Sequence, residues 1–483
     1  MQLTEALKTK NTLTENGMVT NSTSLDLCLD LFFKAGAMRN SKDEHIIKLV
    51  SHAFYEDPER ALKILFWARD IRGGAGERRF FRVAFQYISE RWKHDMKMAE
   101  RIITLIPEYG RWDDMLMFEE TPFEEMVMHI IEGALQDENQ LCAKWMPRKG
   151  TFANKLRKHL RLSPKEYRKL LVSLNRTVER RLCAKQFNQV DYNKVPSLAM
   201  ARYGNTFTKR DGERFSKYIQ DLNEGKEGVK INTGAIYPYD VTKSLGKNEA
   251  AQEQWDNLPN FLEGNNERVL PLVDVSGSMG TECGGNLSCL DVAISLGLYI
   301  SERNEGPFHN HFMTFSNEPE LVHVNGTLKD RLIQMARSNW GMNTNLSAAF
   351  DNILRHATAN NVQPEEMPTQ ILILSDMEFD EATRVDRWSV NTENFDLSAQ
   401  EMIRERYKNS GYEMPNIVYW NIQSRNQTNV PVRFDEMGTA LVSGFSPSIL
   451  TALLSGETMD PVNIMDSVIM GERYKNVTFS ETN

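Results

Sequence analysis

Asp274, Ser276 and Ser278 stand two residues apart in the run Asp274-Val275-Ser276-Gly277-Ser278, Thr344 sits in the turn Trp340-Gly-Met-Asn-Thr-Asn345, and Asp376 follows the apolar run 371–375. Two carboxylates and three hydroxyls are all hard oxygen donors. Brought to one point, they suit Mg²⁺, or Mn²⁺ as a substitute, better than zinc. The carboxylates balance the ion's charge, the hydroxyls and water fill further positions, and one position stays open to an outside acidic group. The alternative reading is a domain that folds in the same way and leaves these donors without an ion.

Such a site needs elements that deliver three separated stretches to one place. After about residue 266, short apolar runs at 269–275, 311–315, 371–375 and 417–422 alternate with helical stretches at 290–301, 328–336, 346–356, 399–407 and 447–454. Alternation of this kind, with strands apolar throughout, predicts a doubly wound, Rossmann-like parallel sheet covered on both faces. Ligands of such sheets bind beyond the carboxyl ends of the strands, where strand order reverses. Asp274 and Asp376 fall at two of those ends.

The Asp-x-Ser-x-Ser loop, the later Thr and the later Asp resemble the metal-ion-dependent adhesion site (MIDAS) of von Willebrand factor A domains. The resemblance implies that Asp274, Ser276 and Ser278 form the first metal loop, Thr344 the second and Asp376 the third, around Mg²⁺. It extends upstream. Thr14-Glu-Asn-Gly17, residues 27–33, Arg69-Asp-Ile-Arg-Gly-Gly-Ala-Gly-Glu-Arg78, Ile106-Pro-Glu-Tyr-Gly-Arg-Trp-Asp-Asp114, Lys144-Trp-Met-Pro147, Lys194-Val-Pro-Ser-Leu-Ala-Met200 and Ser443-Gly-Phe-Ser-Pro-Ser448 look like an uncharacterised family with a C-terminal von Willebrand A module. That family in turn is similar to the TROVE module of Ro-type RNA-binding proteins. There a ring of helical repeats binds small RNAs and an A domain closes it, so a HEAT-like helical ring or solenoid is implied for the first half of this chain.

The residues of that half read as helices independently. Ile46, Leu49, Val50, Ala53 and Phe54 keep the spacing of one buried helix face, and Asp57-Pro58 supplies a cap and a first-turn proline for the next helix. Further helical stretches are expected at 77–88, 96–106, 123–135, 165–185 and 211–222. Between 223 and 268 Gly, Asn, Pro and charge become dense, which marks a connection. The expected organisation is therefore an N-terminal arm (1–23), an all-α domain (24–240), a linker (241–265), the A-like domain (266–456) and a tail packing back (457–483).

Charge separates the same regions. The chain carries −9 overall, yet Lys144, Arg148, Lys149, Lys155, Arg157, Lys158, Arg161, Lys165, Arg168, Lys169, Arg176, Arg180, Arg181 and Lys185 meet only Glu166 and Glu179 in 144–185. That island holds +12 and leaves −21 on the remainder, a distribution that focuses anions at one place. With Tyr167 and Trp145 available for stacking, the favoured partner is RNA, either a small or structured RNA or its single-stranded end. Internal pairing with the acidic remainder is the alternative. An acidic protein partner held at the metal is the second functional reading.

Other chemistry finds less support. The Arg72-Gly-Gly-Ala-Gly-Glu-Arg78 turn offers backbone N–H groups to a phosphate but lacks the GxxxxGK[ST] pattern, so a structural glycine corner is favoured. Histidines form no HExxH and no GxSxG occurs. A non-enzymatic protein is expected, with metal-assisted phosphoester hydrolysis left open by Glu378 and Asp380. Five cysteines without a CxxC pair argue for plain thiols in a reducing, cytoplasmic setting; Cys283 and Cys289 alone do not complete a zinc site. The hydrophobic 41% and charged 25% exclude wholesale disorder, and no apolar run approaches a bilayer span or a secretory signal.

Overall fold

The computed structural model describes residues 11–284, 286–314, 319–338, 346–379, 399–424, 429–455 and 459–480. Thr344 and Asp380 lie outside the described residues. The chain divides into two compact units, with changes at 64/65, 259/260 and 471/472.

The first unit is built on a sheet. Strands β1 (Asn11–Leu13) and β2 (Val19–Asn21) pair as an antiparallel hairpin. A separate six-stranded sheet contains β3 (Val269–Val273), β4 (His311–Thr314), β5 (Leu321–His323), β6 (Gln370–Ser375), β7 (Asn416–Asn421) and β8 (Thr439–Ser443), in the order β5-β4-β3-β6-β7-β8. Every residue of β3, β6 and β8 is buried, as the uninterrupted apolar runs require of strands covered on both faces. All pairings are parallel except β4 with β5, so the sheet is mixed, and the short exposed β5 closes one edge. Strands β5 and β8 were not among the expected runs.

The expected boundaries change most at the N-terminus. Residues 11–64 belong to the α/β unit, not to an arm and an all-α domain. The helix Leu27–Ala35 is buried on nearly all sides because it lies against β8. Gly36 N–H donates to Ser443 Oγ (3.0 Å), and Ser443 Oγ donates to Phe32 O (2.8 Å). A Cβ at Gly36 would stand 2.6 Å from the Gly444 backbone, so only glycine permits this approach. A helix buried on nearly every side, its Asp30 and Lys34 included, gives no sign in sequence of which distant strand covers it.

The second unit is helical. One ring cluster joins Phe66, Phe81, Phe85, Trp92, Tyr109 and Phe118 at centroid distances of 4.9 to 6.1 Å. Another gathers Tyr192, Phe207, Phe215 and Tyr218 around Met200. Just before the 64/65 change, within the first unit, Asp57 caps the helix Pro58–Arg69 as its position foretold, accepting from Arg60 N at 2.9 Å. The expected helix 165–185 is two helices, Pro164–Leu174 and Val178–Cys183. Asn175 breaks it: its backbone turns extended and its side chain accepts from the Thr177 hydroxyl (2.7 Å), a local alternative to helix pairing. The expected linker 241–265 also holds helices, Pro238–Ser244 and Ala251–Asp256, because Val241, Ala251 and Trp255 are fully buried anchors within the polar text.

The Arg-Gly-Gly corner is structural. Ala75 N–H donates to Trp67 O, Gly76 N–H to Asp70 O and Glu77 N–H to Ala68 O, so these donors face the protein and not a phosphate. The neighbouring cations pair with the second motif. Arg69 and Arg82 reach Asp114 at 2.6 Å each, and Arg111 reaches Asp113 at 2.6 Å. Burial alone would raise the Asp113 carboxyl, but the guanidiniums of Arg111 and Arg82 outweigh it and hold it below the usual range.

Candidate metal centre

Strand order reverses between β3 and β6: β3 has β4 on one side and β6 on the other. Their register pairs Val273 with Leu374, and Asp274 N–H continues the ladder to Leu374 O (3.0 Å). Asp274 and Ser375 therefore leave the sheet side by side, with Asp376 one position further. The expected crevice for a ligand is at this rim.

Four of the five expected donors are described, and they converge here. Asp274 is wholly buried, Asp376 and Ser276 nearly so, and Ser278 is half-buried. Ser276 N–H donates to Asp274 Oδ1 (2.9 Å) and Ser375 Oγ donates to Asp274 Oδ2 (2.6 Å), which fixes the carboxylate plane. The Ser276 and Ser278 hydroxyl oxygens are 2.8 Å apart. Adjacent ligands of an octahedral Mg²⁺, with Mg–O near 2.0 to 2.1 Å, are separated by about 2.9 Å. The serine hydroxyls are held to each other by a hydrogen bond of ordinary length, which keeps both oxygens beside Asp274 at a separation that one edge of such an octahedron also accepts.

Electrostatics point the same way. Burial pushes the Asp274 carboxyl up to about 6, and the negative charge of Asp376 adds to it, against the opposing hydrogen bonds from Ser375 and Ser276. Two buried carboxylates held together favour whatever cation relieves them. Thr314, the β4 partner of Val273, adds a buried hydroxyl at the same rim with no hydrogen-bond partner among the described residues. The all-oxygen donor set and its spacing fit a hard divalent ion. Asp274 and Asp376 would hold its charge, and Ser276 and Ser278 would complete the protein's share.

Sequence reasoning missed what holds the third loop. Glu378, two residues after Asp376, is buried and accepts from Asn429 Nδ2 at both carboxylate oxygens (3.0 and 2.9 Å) and from Glu15 N–H (2.7 Å). Asn16 Nδ2 donates to Glu378 O (2.7 Å), and Thr14 Oγ donates to Phe379 O (2.5 Å). The turn between β1 and β2 is thus clamped on the backbone that carries Asp376. The Thr14-Glu-Asn-Gly17 motif was visible; its target, more than 360 residues away, was not. Both carboxylate oxygens of Glu378 are thereby engaged in holding this loop.

The basic island is dispersed over Gln140–Trp145, Thr151–His159, Pro164–Leu174 and Val178–Cys183 of the helical unit. Lys144 pairs with Glu179 (2.8 Å), Lys155 with Glu124 (2.9 Å) and Arg176 with Glu138 (3.9 Å). Arg157 donates to Asn154, Arg181 to Gln189 O and Arg168 Nε to Pro164 O. Arg148, Lys149, Lys158, Arg161, Lys165, Arg168 and Lys169 are exposed, whereas Arg180 is half-buried. The two aromatic rings expected to stack on bases are otherwise engaged. Tyr167 is buried with its hydroxyl on Pro147 O (3.0 Å), and the Arg111 guanidinium covers Trp145 at 3.9 Å.

All five cysteines are free thiols, four of them buried. Cys289 donates to Gln423 Oε1 and Cys283 to Leu287 O, so neither is a metal ligand in this arrangement. No helix among the described residues is long and apolar enough to cross a membrane.

Comparison with known proteins matches residues 268–480 to a domain of unknown function (DUF7788), and residues 14–103 and 134–265 to another domain of unknown function (DUF2828). An uncharacterised protein, L728 of Acanthamoeba polyphaga mimivirus, is 27% identical over 520 residues that cover 94% of this chain and 86% of that protein. Over nearly its whole length, the chain is similar to families and a viral relative to which no function is attached.

Proposed function

We propose that the α/β unit is a von Willebrand A-type binding module that holds Mg²⁺ (or Mn²⁺) through Asp274, Ser276, Ser278, Thr344 and Asp376 and captures a carboxylate of an acidic protein partner at the ion's open position. The observation that carries this reading is the meeting of two buried carboxylates, Asp274 and Asp376, with the Ser276 and Ser278 hydroxyls at the rim where strand order reverses. Two donors orient Asp274, as a fixed ligand requires, and the role read from this is binding. The test is capture from a cell extract by the immobilised full chain. Partners retained in Mg²⁺ should be released by EDTA and absent with Asp274→Ala. Capture indifferent to both would end the proposal.

A second reading is non-enzymatic RNA binding by the helical unit, as the resemblance to TROVE and Ro-type proteins and its helical-repeat ring suggest. The exposed Arg148, Lys149, Lys158, Arg161, Lys165, Arg168 and Lys169 favour it. With Tyr167 and Trp145 engaged elsewhere, contacts would go to phosphates and carry little sequence information. A cytoplasmic location accords with the free thiols.

A further inference from the structure

Outside the oxygen-lined rim, the helical unit brings together a second set of metal-ligating side chains. His129 and Glu132 lie one turn apart on the helix Glu124–Gln136, and His159 ends the helix Thr151–His159. His159 Nε2 is 3.0 Å from Glu132 Oε2, and His129 Nδ1 is 3.6 Å from the same oxygen. One ligand atom from each of the three lies within 4.8 Å of the others. The two imidazoles meet edge to face, centroids 4.5 Å apart at 76°, so both rings turn toward the carboxylate without stacking on each other.

A hydrogen bond explains only half of this arrangement. It accounts for His159, but 3.6 Å is too long for a hydrogen bond from His129. An ion between the three accounts for all of them. With Zn–N near 2.0 to 2.1 Å, adjacent donors of a tetrahedral site are about 3.3 Å apart. The two measured separations fall on either side of that value, the third is within 4.8 Å, and the His129 side chain, 63% exposed, has room to turn. Nitrogen donors distinguish this cluster from the rim: imidazole with one carboxylate selects Zn²⁺ and its first-row neighbours over Mg²⁺.

We propose that His129, Glu132 and His159 form a binding site for a divalent transition ion of the Zn²⁺ class, which ties the two helices together and leaves a fourth position open to water or an outside ligand. It is independent of the Mg²⁺ reading above.

The experiment uses the full chain carrying Asp274→Ala, stripped of metal by a chelator and kept in excess Mg²⁺, so that the oxygen site does not contribute. Titration with Co²⁺ is expected to develop the visible d–d bands of a nitrogen- and oxygen-ligated ion to one equivalent, reversed by Zn²⁺. Adding His159→Asn or Glu132→Gln should weaken binding at least about tenfold, the loss that even an outer-shell partner of a metal ligand causes. His129→Asn, at the most exposed position, gives the same reading should the other variants lose their circular dichroism. No Co²⁺ bands, or titrations of folded variants that superimpose on their parent, would overturn the site.

Discussion

The backbone N–H of Glu15 donates to the Glu378 carboxylate at 2.7 Å across 363 residues of sequence. Glu378 follows Asp376 by two positions, so the N-terminal hairpin helps set the loop that carries Asp376. Asn429 completes the clamp, and removing it leaves a buried carboxylate short of two donors. Asn429→Ala should therefore cost roughly 1–3 kcal/mol in urea unfolding. Deleting residues 1–23 should weaken Mg²⁺ binding measured by calorimetry, with the sheet still folded by circular dichroism. Unchanged affinity in the deletion would separate the hairpin from the metal loop.

Asp274 gives a pH signature. Its folded-state value near 6 lies above the ordinary 3.8, so the folded protein binds the proton more tightly than the unfolded chain. The associated stability is fully present below 3.8 and is lost as pH rises through about 6, on the order of 2–3 kcal/mol. Melting temperatures in EDTA should fall over that window through this group, and Mg²⁺ should restore them above pH 6. Asp274→Asn should remove both the fall and the Mg²⁺ response. A Mg²⁺ shift of equal size in that variant would contradict the assignment of Asp274 as a ligand.

Arg69 and Asp114 form a buried pair, with side chains 2% and 0% exposed. Breaking such a pair from one side strands the other charge, so Asp114→Ala should destabilise the helical unit by about 3–5 kcal/mol. Replacing both, as Arg69→Met with Asp114→Leu, should cost less than the single change. Urea midpoints of the three variants give the comparison, and a double variant weaker than Asp114→Ala would show that the pair is not the dominant interaction there.

If the helical unit binds RNA, contacts to phosphates dominate. Replacing Arg148, Lys149, Lys165, Arg168 and Lys169 by Glu should reduce affinity for unrelated RNAs alike and flatten its dependence on salt, by up to ~0.7 to 0.9 in the log–log slope per lost contact. Filter binding at several salt concentrations reads both. A slope that stays the same after the replacement would remove the island from any RNA interface.

Much of the geometry of the candidate metal centre was legible in advance because its parts obey local rules. An apolar strand ends where a carboxylate appears, so Asp274 and Asp376 could be assigned to strand ends from their neighbours alone. The first loop carries its own spacing, since Ser276 and Ser278 are separated by one residue and need no distant partner to bring them together. The Asp57-Pro58 helix start was readable for the same reason.

Long-range partners obey no such local rule. Ser375, which orients Asp274, reads in sequence as one more strand residue. Tyr167 reads as an available aromatic until the protein covers it, and Glu378 as a loop carboxylate until Glu15 and Asn429 reach it. The placement of residues 11–64 on the sheet depends on contacts such as Gly36 against Gly444, which no periodicity encodes. Helix faces, strand ends and turn chemistry follow from neighbours a few residues apart, so the amino-acid order alone specifies them. Which buried face meets which depends on shape and burial across hundreds of residues, and that is settled only when the chain has folded.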